Sequence, residues 1–126
     1  MSAPEITLRG LRLAEHIEQK LTAELIAHPR VASLPEMILR HGVLQTAAFL
    51  QSKREKTKQD GELLSLLDGC VRQIVPGIDL CGALGPLSKL VIDRYMLVNE
   101  VAVEAAAWIG LLANARKASA PVNEGT

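Results

Sequence analysis

Apolar residues recur at three- and four-residue steps along every long segment of this chain, and nowhere do they alternate with a period of two for long enough to make a strand. A chain patterned this way hides its apolar stripes by laying helix on helix. The expected fold is therefore all-α, a compact bundle of about five helices. At 126 residues the chain has the length of one ordinary domain, and it is read as a single helical domain with residues 1–4 and 118–126 expected to be flexible. Hydrophobic residues make up 48% of the chain, yet only Phe49, Tyr95 and Trp108 are aromatic. Leu, Val, Ile and Ala must fill the interior.

The first helix is expected from Leu8, with Thr7 as its cap, Leu8, Leu11, Ala14, Leu21 and Leu25 as its stripe, and Pro29 closing the segment. A second helix is expected to start near Pro35, with Ser33 as cap, and to run through the apolar residues from Met37 to Leu50. The polar run Ser52 to Gly61 reads as a loop. A third helix carries Leu63, Leu64, Leu66, Leu67, Cys70, Val71, Ile74 and Val75 on one broad face. Pro76, Gly77, Gly82, Gly85 and Pro86 mark a second loop, left at Leu87 by a short helix or the first turns of a long one. From about Arg94 to Lys117 the stripe is Tyr95, Val98, Val101, Ala105, Trp108, Ile109 and Leu112.

Placed at about 100° per residue, the second and last helices leave few wide polar arcs. Leu39, Val43, Phe49 and Leu50 fall away from Met37 and Leu44, and Ala102, Ala106 and Ala113 fall opposite the main stripe of the last helix. Such helices are central in the bundle, docked on a partner, or both. Gly42 inside the second helix costs about 1 kcal/mol against alanine, which close packing would explain.

Several function classes are set aside. Fourteen Lys and Arg balance fourteen Asp and Glu, so any attraction to nucleic acid must be local. Cys70 and Cys81 show no CxxC or Cys/His ligand spacing and the N-terminus has no signal-peptide core, which fits a reducing cytoplasm. The apolar stretch Val101 to Ala113 is interrupted by Glu104 and flanked by Asn99, Glu100 and Asn114, so a membrane span is not expected. His16, His28 and His41 lie apart with no HxxxH spacing, so no metal site is expected. Glu100 and Glu104 share a helix face, as a carboxylate pair for acid–base chemistry would, but the plainer reading is a solvated edge or a salt-bridge partner for a neighbouring subunit. With no phosphate-binding loop and no nucleophile elbow, no catalytic residue, no cofactor and no enzymatic activity are expected.

Charge distribution says more. Lys53, Arg54, Lys56 and Lys58 crowd one short polar segment with only Glu55 against them, and Arg40 lies on the helix that leads into it. Arg9, Arg12, His16 and Lys20 form a second basic strip, read first as a solvated face. With so few aromatics, binding to RNA here would track phosphates without reading bases by stacking, and would depend steeply on salt.

The segment LPEMILRHGVLQTAAFLQSK, with Leu34-Pro35, Met37-Ile38, Gly42, Gln45, Ala48-Phe49-Leu50 and Lys53, resembles the small-subunit family of type III-B CRISPR effector (Cmr) complexes. So does Tyr95 followed by Trp108-Ile109 and Ala113, in the manner of that family's C-terminal helix. The resemblance implies a non-catalytic cytoplasmic subunit in antiviral defence. Its implied partners are copies of itself, backbone and large effector subunits, and guide and target RNA, with no membrane. Such a subunit forms the inner filament and offers basic side chains to the guide–target duplex. Where the family usually has basic residues, this chain has Met96, Gly110 and Leu111, which moves the expected RNA contact to Arg40, Lys53, Arg54, Lys56 and Lys58. Three alternatives stay open: the small subunit of another type III or type I complex, a helical protein–protein adaptor that never meets RNA, and an enzyme built on Glu100 or Glu104.

Overall fold

The computed structural model describes residues 7–80 and 92–119. They form helices α1 (Leu8–Lys20), α2 (Ala23–Ala27), α3 (Arg30–Lys53), α4 (Lys58–Ile74) and α5 (Ile92–Ser119). No strand occurs among the described residues, and the all-α expectation stands. The helix or helical turns expected near Leu87, Cys81 and the loop residues Gly82, Gly85 and Pro86 lie outside the described residues, as do the termini 1–6 and 120–126.

The first expected helix is two. Thr7 Oγ1 accepts the Gly10 N–H at 2.9 Å and starts α1 as read from the sequence. At Leu21 the backbone turns extended, and Thr22 Oγ1 accepts the Leu25 N–H at 3.2 Å to start α2. A second capping threonine, rather than Pro29, ends α1. The stripe is also rotated from the expected one. Leu8 and Leu11 are exposed, and Gly10, Leu13 and Ile17 face the core. Those three lie within one narrow arc at about 100° per residue, whereas Leu8 points nearly opposite.

Helix α3 begins at Arg30, ahead of the expected start, and Ser33 does not cap it: its hydroxyl donates back to the Arg30 carbonyl at 3.2 Å. Pro35 therefore sits inside the helix, where it cannot donate to the carbonyl of Val31. Helix α5 passes close by at that point, since a Cβ on Gly110 would lie 3.9 Å from the Val31 oxygen.

Gly42 is where α3 breaks, with φ 83° and ψ 162°. The freed amides are received by α5: Val43 N–H donates to Asn99 Oδ1 at 2.7 Å and Leu44 N–H to the Tyr95 hydroxyl at 3.2 Å. A helix-starting glycine has no side chain to cap with, and α5 supplies the cap from outside. The break also explains the over-apolar reading. Val31, Leu34 and Ile38 form one stripe, Val43, Ala47 and Leu50 another, and each is regular within its own half. Projected through Gly42 as one rod at about 100° per residue, the two stripes fall on nearly opposite faces.

The expected loop from Ser52 to Gly61 shrinks to the turn Arg54–Thr57, because α3 continues through Lys53 and α4 starts at Lys58. Lys53 O accepts the amides of both Lys56 and Thr57, at 3.1 and 2.9 Å. After α4, Asp68 Oδ1 accepts the Leu80 N–H at 2.7 Å and draws the following segment back onto the helix.

Helix α5 is the centre of the bundle and packs against all four others. Val98, Val101, Ala102, Ala105, Ala106, Ile109 and Ala113 are buried around most of its circumference, which settles the last helix as central. By length and composition alone Ile92–Ala118 could cross a membrane, with a mean hydropathy of 1.5, but the core helix of a bundle meets the same criterion. Tyr95 finds a partner for its hydroxyl, whereas Trp108 Nε1, shut off from solvent, has none among the described residues.

A candidate nucleic-acid interface

The Arg54–Thr57 turn brings its cations to the surface without strain: Arg54, Lys56 and Lys58 are exposed and Lys53 is partly so. They do not point one way. Lys53 Nζ lies 5.7 Å from the centroid of the Phe49 ring, and the Arg30 guanidinium carbon lies 4.9 Å from the same ring. Arg54 and Lys58 instead line a groove of about 830 Å³, and across it stand His16 and Lys20 of the α1 strip. The structure therefore joins two basic segments that the sequence showed separately.

Arg40 is not brought to this place. It precedes Lys53 by thirteen residues, about 20 Å of helix rise, with the Gly42 break between them. Its partner is Glu36, at 2.8 Å, in an exposed pair one turn apart. The rest of the α1 strip is also committed elsewhere. Arg9 binds Glu104 at 2.7 Å and Glu100 at 3.2 Å, so that carboxylate pair has its partner within the chain and needs no neighbouring subunit. Arg12 donates to the Gln73 carbonyl at 2.9 Å.

What anchors the turn is a residue that sequence reasoning missed. Asp60, in the first turn of α4, has no exposed surface. Its Oδ1 accepts from Arg30 Nε at 2.6 Å and from His28 Nε2 at 2.8 Å, and its Oδ2 from Arg30 Nη2 at 3.2 Å. Burial alone favours the neutral acid and is the largest single influence, but the hydrogen bonds and charges of Arg30 and His28 together outweigh it and hold the carboxyl below its usual range. The spacing Thr57-x-x-Asp60 ahead of an apolar run marks a helix start, and it was the available signal. The carboxylate serves a tertiary contact instead, one that only folding brings together.

The groove runs along a helix thinned by glycine. A Cβ on Gly69 would come within 2.6 Å of His16 Nε2, so glycine there makes room for the imidazole ring. Burial, and then Lys20, push the His16 pKa down and keep the ring neutral. Leu25 and Leu64, both nearly buried, form part of the lining. Gln51, on the last turns of α3, also lines it, and its Oε1 is closed to solvent without a hydrogen-bond partner among the described residues.

These features define a helical-bundle protein with a small, localised cationic surface. A sequence model of one family, described as CRISPR-associated protein (Cas_Cmr5), matches residues 13–116, a span that reaches all five helices. The chain belongs to that family, the Cmr small subunits of type III-B systems. No curated protein and no solved structure matches the chain significantly.

Proposed function

We propose that this protein is a non-catalytic, cytoplasmic structural subunit of a type III-B CRISPR ribonucleoprotein, and that in antiviral defence it offers the cations of its α3–α4 turn to RNA phosphates. The observation that carries this reading is the turn itself. Four cations, Lys53, Arg54, Lys56 and Lys58, are held within six residues and anchored by the buried Asp60 contact, in a chain whose overall net charge is zero. Membership of a CRISPR-associated small-subunit family supports assembly with other effector subunits. Exposed Leu8, Leu11, Leu39, Ile92 and Met96 give a helical subunit apolar surface for contacts with backbone and large subunits and with copies of itself. Arg40 lies outside the interface we propose, and RNA contact through the turn carries no base selectivity.

The test replaces Lys53, Arg54, Lys56 and Lys58 by Ala in the assembled effector and follows target-RNA affinity against salt. The expected result is weaker binding and a log–log salt slope smaller by about 0.7 for each lost phosphate contact on a single strand. Unchanged affinity at low salt would remove the turn from the interface and favour an adaptor that never meets RNA.

A further inference from the structure

The break at Gly42 does more than rephase α3, because it folds the two halves of the helix toward each other. Arg30 and Phe49 would stand about 28 Å apart along a straight helix, yet the Arg30 guanidinium carbon lies 4.9 Å from the centroid of the Phe49 ring. The angle encloses a cleft of about 200 Å³, lined by Met37 and His41 from the first half and by Gln45, Thr46 and Phe49 from the second. Ordinary small-molecule sites run to about 300–1,000 Å³, so this one suits a single flat ring system and not a base pair. Its walls are open to solvent: His41 and Gln45 are exposed, and Met37 and Phe49 are partly so. The side chains of His41 and Gln45 have no hydrogen-bond partner among the described residues, and each can donate or accept. No carboxylate lines the cleft. At Phe49 it meets the cationic turn, since Lys53 Nζ lies 5.7 Å from the same ring. Arg30 is committed to Asp60, whereas Lys53 has no ion pair among the described residues and carries its charge on a long, flexible stem.

We infer that the cleft in the angle of α3 receives one unpaired base of a bound RNA strand, against Met37 and Phe49, with His41 and Gln45 bonded to its edge and Lys53 on the adjoining phosphate. The inference rests on the phosphate contact proposed above and adds a base to it on the Lys53 side of the turn. Continuity with the turn favours this occupant over a side chain of another protein. An aromatic ring, a thioether and two polar side chains beside a free cation match a base with its phosphate outside. A base inserted here is unstacked and unpaired, so the cleft distinguishes single strand from duplex. Imidazole and carboxamide both offer either sense of hydrogen bond, so the cleft registers the presence of a base more than its identity.

The experiment uses the full chain and three fluorescent RNA probes of equal length at low salt: a single strand, the same strand with abasic sugars, and a duplex. Wild type is expected to bind the base-bearing strand about three- to tenfold more tightly than the abasic strand or the duplex. The His41→Ala, Gln45→Ala double variant, which alters only exposed side chains, loses that preference and keeps the salt slope and the melting temperature. Phe49→Leu weakens the preference and Phe49→Tyr retains it. Equal binding of base-bearing and abasic strands by wild type overturns the base subsite and leaves the phosphate contact standing. A preference that survives both the double variant and Phe49→Leu places the base elsewhere and overturns the cleft. Equal binding by wild type, with the double variant lost from the purified effector, assigns the cleft to a side chain of another subunit and overturns the base. If the Arg54→Ala, Lys56→Ala, Lys58→Ala triple variant keeps full affinity and the full salt slope, the phosphate contact itself is overturned. Binding to none of the probes overturns both.

Discussion

Asp60 shows how much one side chain decides. A buried carboxylate is stable here only because Arg30 and His28 converge on it, and that convergence ties α2 and the start of α3 to the start of α4. Asp60→Asn should cost about 2–3 kcal/mol in urea unfolding at neutral pH, because Arg30 loses its counter-charge. The pH dependence follows from the direction of the shift. With its folded pKa depressed, Asp60 contributes stability that is fully present above the unfolded value of about 3.9 and is lost as pH falls from there through the folded value. Urea midpoints measured from pH 7 down to pH 3 should fall for wild type in that acid window and fall less for the Asn variant.

At the scale of the element, the break in α3 is the main structural device. It lets two apolar stripes of different phase share one core, and it costs little because Tyr95 and Asn99, one turn apart on α5, take the freed amides. Gly42→Ala should destabilise the fold by about 1–3 kcal/mol, since alanine disfavours positive φ and its Cβ would lie 3.0 Å from the Tyr95 oxygen. Gly110→Ala provides the contrast. Its Cβ would meet only ordinary contact at 3.9 Å inside a regular helix, so it should be neutral or stabilising by up to about 1 kcal/mol. Chemical denaturation of the two variants side by side checks both signs.

For the whole molecule, α5 is the hub, and its small residues let four helices approach it. Ala105→Leu adds volume where none is free and should cost about 1–3 kcal/mol. Cys70 gives a convenient readout, because burial pushes its thiol up to about 12 and leaves it unreactive while folded. In a Cys81→Ser background, alkylation of Cys70 should track loss of helical circular dichroism across the denaturation curve, with both transitions moving together in the Ala105→Leu chain. Labelling well before helix loss would show that the core opens locally and that α5 does not hold it as one unit.

Much of this protein was legible in its residues one after another. Helical period, the Thr7 cap, the α4 face, the apolar excess of α5, the short cationic segment and the family signature are all local in sequence. Local physics, 3.6 residues per turn and a cap at the first free amides, is enough to place them. What the sequence misplaced depended on contacts between distant segments. The phase of α1 was open because Leu8–Leu11 and Leu13–Ile17 are both acceptable stripes until α5 takes one side. Gly42 could be judged a costly helix residue but not a break, because the groups that cap the restart come from residues 95 and 99. Asp60 looked like one more polar residue in a loop, and Arg40 like part of the basic cluster, until α2, α3 and α4 were packed. The sequence by itself determined which residues form helices and which charges lie together along the chain. Only the tertiary structure decided which faces are buried and which charges share a groove, because burial and ion pairing depend on distances in space that one-dimensional spacing does not contain.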